Sequence, residues 1–146
     1  MLHRIDLTSD APRPIQGGRL TQIPHFSIGG IVQWDPDKFT LYRPPILRYV
    51  SGVKGTTIEA RAKKWATAQG TKLANANLLD YWLLFPEIIP SECEGKCVCF
   101  FGTHYVEHKK QMYVRCLWCH DGIREEIDTL LAGHGFSGDC YVALYG

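Results

Sequence analysis

A chain of 146 residues and 16.5 kDa, 45% hydrophobic and 21% charged, has the size and mix of one folded domain. That excludes a disordered tail, a collagen-like fibre and a coiled coil, and about two-thirds of the unfolded chain's surface can be buried at this length without staples. The formal net charge of +1 makes no global electrostatic case for nucleic acid or membrane.

The charge is unevenly spread. Residues 1–73 hold 11 basic and 5 acidic groups, residues 74–146 hold 5 basic and 10 acidic, and all six cysteines lie in the second half. Two mutually attracting faces of one domain account for this; a positive face for an anionic partner, or head-to-tail self-association, is the sharper reading. The N-terminus carries no signal-like apolar region, and no stretch approaches the ~20 apolar residues that span a bilayer. The expected location is the cytoplasm, where Cys93, Cys97, Cys99, Cys116, Cys119 and Cys140 are thiols or metal ligands rather than disulfides.

Residues 1–24 read as an irregular segment, interrupted by Pro12, Pro14, Gly17, Gly18 and Pro24. Strand patterns follow at Phe26 and Ile28, over 31–34, over 39–42 and over 46–50, with Pro44-Pro45 marking a sheet edge because proline donates no ladder hydrogen bond. Thr56-x-x-Glu59 is a capping box that opens a helix. Its apolar stripe is Ile58, Ala62, Trp65 and Ala66, and Gly70 stops it. A second helix is expected over 73–85, with Leu78, Leu79, Trp82 and Leu83 toward the core and Pro86 as its stop. Strands are then expected over 97–101, at Tyr105-Val106 and over 112–118. His108-Lys109-Lys110 reads as a turn, Asp121-Gly122 as a hairpin, and 141–144 as a last strand. Residues 123–131 are ambiguous: Ile123, Ile127, Leu130 and Leu131 have helical spacing. The expected fold is one α+β domain over 1–146, with a two-helix layer packed on a mainly antiparallel sheet.

Ala76-Asn77-Leu78-Leu79-Asp80-Tyr81, Pro86-Glu87-Ile88-Ile89-Pro90, Gly95-Lys96, Phe100-Phe101-Gly102-Thr103, Tyr113-Val114-Arg115 and Tyr141-Val142-Ala143-Leu144 together resemble the C-terminal half of small bacterial proteins of phage and other mobile DNA, such as integron cassettes. In that group, which has no assigned activity, a helix leads through an I-P turn into an antiparallel meander. The resemblance covers about half the chain and implies architecture only. It favours a strand over 123–131, against the helical periodicity. Aromatic residues tend to stand where Cys93 and Cys116 stand here, which argues against a metal site inherited from that group.

Cys93-x3-Cys97 and Cys116-x2-Cys119 approximate the two knuckles of a zinc ribbon. If Cys116 and Cys119 lie in one regular strand, their odd spacing points them to opposite faces and prevents shared coordination. Core thiols without bound zinc are therefore expected. Cys116-x-x-Cys119-His120 matches a haem-attachment pattern, but no export signal accompanies it. His104-x-x-Glu107-His108 matches an inverted zincin pattern that needs a helix, and on a strand those histidines stand ~13 Å apart. Cys99, Cys116, Cys119 or Cys140 with His104, His120 or His134 would suffice chemically for a nucleophile pair, but nothing local marks one. Gly29-Gly30 lacks the helix and lysine of a phosphate loop, and Glu125, Glu126 and Asp128 read as a solvated face.

For nucleic acid the best segment is 38–54, where Phe39, Tyr42, Arg43, Arg48, Tyr49 and Lys54 interleave cations and rings. A strand pair with snorkelling arginines beside core aromatics is the preferred explanation, and nucleic acid is not the expected partner. No catalytic, cofactor or metal residue is assigned. The favoured function is a non-enzymatic, self-associating binding protein of bacterial mobile DNA, a homo-oligomer without membrane contact. The alternatives are a small enzyme or ligand-binding protein with an apolar pocket between helices and sheet, and nucleic-acid binding through 38–54.

Overall fold

A computed structural model describes residues 3–7, 21–25 (backbone only), 31–49, 52–106 (Val106 backbone only), 111–133 and 135–146. In chain order its elements are β1 (Arg4–Asp6), β2 (Thr21–His25), β3 (Ile31–Gln33), β4 (Phe39–Tyr42), α1 (Gly55–Gln69), β5 (Lys72–Leu73), α2 (Ala76–Leu84), β6 (Lys96–Val106), β7 (Met112–His120), β8 (Ile123–Leu130) and β9 (Cys140–Tyr145). The main sheet runs β4-β9-β6-β7-β8, with β2 added to β6 and β5 to β9. All its pairings are antiparallel except β6 with β9. β1 and β3 form a separate two-stranded sheet. The single-domain α+β class stands as expected.

Both helices pack on the sheet, but one on each face rather than together in the single two-helix layer expected, because alternate residues of β6 and β7 are apolar on both sides. Leu78, Leu79 and Trp82 of α2 meet Val98, Phe100, Leu117 and Cys119, while Ile58, Ala62 and Ala66 of α1 meet Cys99, Phe101, Val114 and Cys116. Alternate residues of β6 and β7 thus enter different cores, which is why their sequences are apolar almost without a break. On the α2 side Trp82 is ringed by Trp34, Phe39 and Phe100 at centroid separations of 5.1–5.9 Å. Tyr145 stacks on Trp34, accepts from the Asp35 amide at 3.0 Å and donates to the Gln33 carbonyl at 3.3 Å, tying the small sheet to the large one.

Several local expectations give way to tertiary contacts. The 1–24 segment contains two strands, Arg4–Asp6 and Thr21–His25, because β3 and β6 supply their ladders. The expected strand at 46–50 is a 3₁₀ turn, Pro45–Arg48: Pro45 presets its φ at the start of the turn and has no amide for a ladder. Phe26 and Ile28 lie outside the described residues, as do Val50 and 107–110.

The Thr56–Glu59 capping box does not form. α1 starts at Gly55 with no side-chain cap; the Gly55 and Thr56 amides instead donate to the Gly133 and Leu131 carbonyls at 3.4 and 3.1 Å. The chain crosses so closely there that a Cβ on Gly55 would stand 2.5 Å from the Leu131 oxygen. Gly70 ends the helix as expected, left-handed at φ 73°, with its amide bonded to Thr67. α2 starts at Ala76 rather than Leu73, since Lys72 and Leu73 pair with β9. Thr103 Oγ1 accepts from the Ala76 amide at 2.9 Å, and Asn75 and Asn77 donate to the Leu7 and Asp6 carbonyls. The Asp121-Gly122 turn forms with both residues at positive φ, and residues 123–130 continue as a strand, not a helix.

Candidate functional site

Three arrangements combine chemistry with position. The first is a groove of about 670 Å³ on the α1 side, lined by Tyr42, Ala60, Arg61, Lys64, Trp65 and Ala68. β4 delivers Tyr42, which stacks on Trp65 with centroids 4.7 Å apart and planes within 13°. Arg61 and Lys64 are exposed one helical turn from one another, and among the described residues no acidic side chain lines the groove. Small Ala60 and Ala68 leave room beside the rings. The groove can take a flat, anionic ligand: rings for stacking, cations for charge.

The second is a thiol cluster on the same side of the sheet. Cys97 and Cys99 lie two apart on β6, Cys116 faces Cys99 across the β6–β7 ladder, and Cys140 on β9 pairs with Cys97. The sulfurs of Cys97, Cys99 and Cys116 lie within 4.8 Å of one another. Donors point at the group: Thr129 Oγ1 to Cys116 Sγ at 3.6 Å, and the Ser137 amide to Cys140 Sγ at 3.4 Å. Hydrogen bonds from Cys97, then from Cys99 and Thr129, pull the Cys116 thiol well below its ordinary range in spite of burial. Interaction with Cys116, then with Cys140 and Cys97, and burial push the Cys99 thiol up.

The third is a charged network on the α2 side. Arg115, 2% exposed, donates to Asp80 of α2 at 2.7 Å, to Glu126 of β8, and to the Tyr105 hydroxyl at 3.4 Å. Desolvation raises the Asp80 carboxyl even against the Arg115 hydrogen bond, with the Glu126 charge adding to the rise. Burial pushes the Tyr105 hydroxyl up to about 12. Desolvation opposes the Arg115 charge, but its bonds to Asp80 and Tyr105 outweigh that and hold the guanidinium charged.

No family model, curated protein or solved structure matches the chain.

The structure divides the zinc-ribbon-like quartet. Cys93 and Cys119 lie in the α2-side core and Cys97 and Cys116 in the α1-side one, as the odd spacing along one strand requires. Burial, then the neighbouring Cys119, pushes the Cys93 thiol up to about 12. The same parting separates the two cysteines of the Cys116-x-x-Cys119-His120 pattern, and His120 stands beside the Trp118 ring and 3.8 Å from Glu125. His104 belongs to β6 and meets Glu59 of α1 at 2.6 Å; Glu107, His108, His134 and Gly29-Gly30 lie outside the described residues. The 38–54 segment does not form one face: Phe39 is buried, Tyr42 lines the groove, and Arg43 bonds the Gly138 carbonyl and lies over Tyr141. Arg48, Tyr49 and Lys54 are exposed. Glu126 is not on a solvated face, its side chain being 6% exposed against Arg115.

Sequence reasoning missed Cys99 and Cys140 as partners of Cys97 and Cys116, and Arg115 as the centre of a network. The Cys97-x-Cys99 spacing did carry a signal, since residues two apart share a strand face. Arg115, between Val114 and Cys116 in a strand apolar on both sides, carried one too.

Proposed function

We propose that this is a non-enzymatic binding protein whose ligand lies in the groove between β4 and α1, and that the ligand is single-stranded nucleic acid. The observation that carries this is the Tyr42–Trp65 stack flanked by Arg61 and Lys64. A base stacked on an aromatic ring gains ~1–3 kcal/mol without sequence preference, and two cations track the phosphates. The placement on mobile DNA rests on the sequence resemblance alone.

Fluorescence anisotropy with a labelled oligonucleotide tests the reading. Arg61→Ala with Lys64→Ala should weaken binding and flatten its logarithmic salt dependence by ~1.4, two phosphate contacts at ~0.7 each for a single strand. Trp65→Ala should weaken binding at every salt concentration. No binding by the unaltered chain at low salt, or equal binding by all variants, would refute it.

Self-association is a second reading, and β8 favours it. Among the described residues β8 pairs only with β7, and it carries Ile123 and Ile127 at 52% and 41% exposure. A strand edge with exposed apolar residues is a template for a second copy.

A further inference from the structure

We propose that Cys97, Cys99 and Cys116, with Cys140 as fourth ligand, form a binding site for a thiophilic d¹⁰ cation, Zn²⁺ in the first instance. Thiolate sulfurs on a tetrahedral zinc stand about 3.8 Å apart, from a Zn–S bond of about 2.3 Å. Three sulfurs already lie within 4.8 Å of one another on two hydrogen-bonded strands, so about 1 Å of contraction or less brings these three to ligating distance. Cys140 is brought alongside by its parallel pairing with Cys97, its sulfur standing outside the 4.8 Å group of the other three.

The chain contains its own comparison. Cys93 and Cys119 are also buried thiols in one core, but among the described residues no third cysteine, histidine or carboxylate completes a close ligand group with them. They are ordinary core residues. At the four-cysteine cluster the Thr129 hydroxyl donates to the Cys116 sulfur and the Ser137 amide to the Cys140 sulfur. Each ligating thiol passes its proton to solvent as its bond to the metal forms. Three thiolates on Zn²⁺ leave one negative charge, four leave two, and the two donors offset part of it. Cys97 is half-buried while Cys99 and Cys116 are fully buried, so the Cys97 side is the way in.

The test is a titration of the full chain, reduced and freed of metal by chelator, with Co²⁺ and then Zn²⁺. One equivalent of Co²⁺ should give the intense visible bands and sulfur-to-metal charge transfer of tetrahedral thiolate ligation, and Zn²⁺ should abolish them. Cys97→Ser and Cys116→Ser should each weaken Co²⁺ binding at least tenfold, while Cys93→Ser and Cys119→Ser leave it unchanged. Cys97, half-buried, is the variant that tolerates serine best; circular dichroism identifies any variant that fails to fold, and the unaltered chain's titration decides without them. A reduced unaltered chain that shows no thiolate-ligated Co²⁺ spectrum overturns the proposal, as does a spectrum that survives the Cys97→Ser, Cys116→Ser double substitution.

Discussion

Arg115 shows how much one side chain can commit a fold to. Its guanidinium is buried between Asp80, Glu126 and Tyr105, so removing it strands two carboxylates in a place built around a cation. Arg115→Met should cost about 3–5 kcal/mol in urea unfolding at neutral pH, far more than an exposed ion pair such as Arg124 with Glu94. Asp80 adds a pH dependence of known sign. Its carboxyl is raised in the folded chain, so the folded state holds that proton more tightly than the unfolded one. Stability therefore falls as pH rises from the ordinary carboxylate range through the raised value, and levels off above it. The urea midpoint of the unaltered chain, measured relative to Asp80→Asn, should decline over that window; a relative midpoint that rises would show that the Arg115 attraction outweighs desolvation.

At the scale of elements, the two helices differ in how they hold the sheet. α2 puts Trp82 wholly inside a ring of aromatics, whereas Trp65 of α1, expected as a core residue, is half-buried and stacks on Tyr42. Trp82→Ala should cost ~3–5 kcal/mol and Trp65→Ala only ~1–2 kcal/mol. Equal shifts in urea midpoint would mean that the facing of one helix is misassigned. β6 carries a second constraint. Its register with β7 slips between Phe100 and Tyr105, and Gly102 in that interval lies against the backbone before α2: a Cβ there would stand 2.6 Å from the Ala74 oxygen. Gly102→Ala should therefore cost about 1–3 kcal/mol by overpacking, with loss of near-ultraviolet circular dichroism from the aromatic core as an accompanying sign.

Across the whole molecule the two ends of the main strand path differ. β4, Phe39–Tyr42, carries no charged residue and forms one end, and β8, with exposed Ile123 and Ile127, forms the other. At the β8 edge apolar burial has to hold a contact between copies, because exposed ion pairs add only ~0–1 kcal/mol each. Light scattering at micromolar concentration should give an oligomer that moderate salt barely weakens, and Ile127→Lys should lower its mass. A monomer at low and moderate salt alike would remove the self-association reading and leave the groove as the functional surface. No helix among the described residues is long and apolar enough to cross a membrane.

The sequence by itself determined the elements whose signals are local: the α1 stripe of Ile58, Ala62 and Ala66, the Gly70 stop, the Asp121-Gly122 turn, and the apolar runs of β6 and β7. It also determined that Cys116 and Cys119 cannot share a metal, since that follows from the strand period alone. Where two periods coincide it could not decide. Ile123 and Ile127 are four apart, a spacing that returns to the same face in a helix and in a strand, and only pairing of β8 with β7 makes it a strand. Tertiary structure alone decided the rest. The α1 amides are taken by carbonyls at Leu131 and Gly133, which leaves Glu59 to meet His104. Cys140 reaches Cys97 through a parallel pairing across 43 residues of chain. Hydrogen bonds and charges between residues so far apart leave no periodic trace in a sequence, because the geometry that joins them does not exist until the sheet has formed.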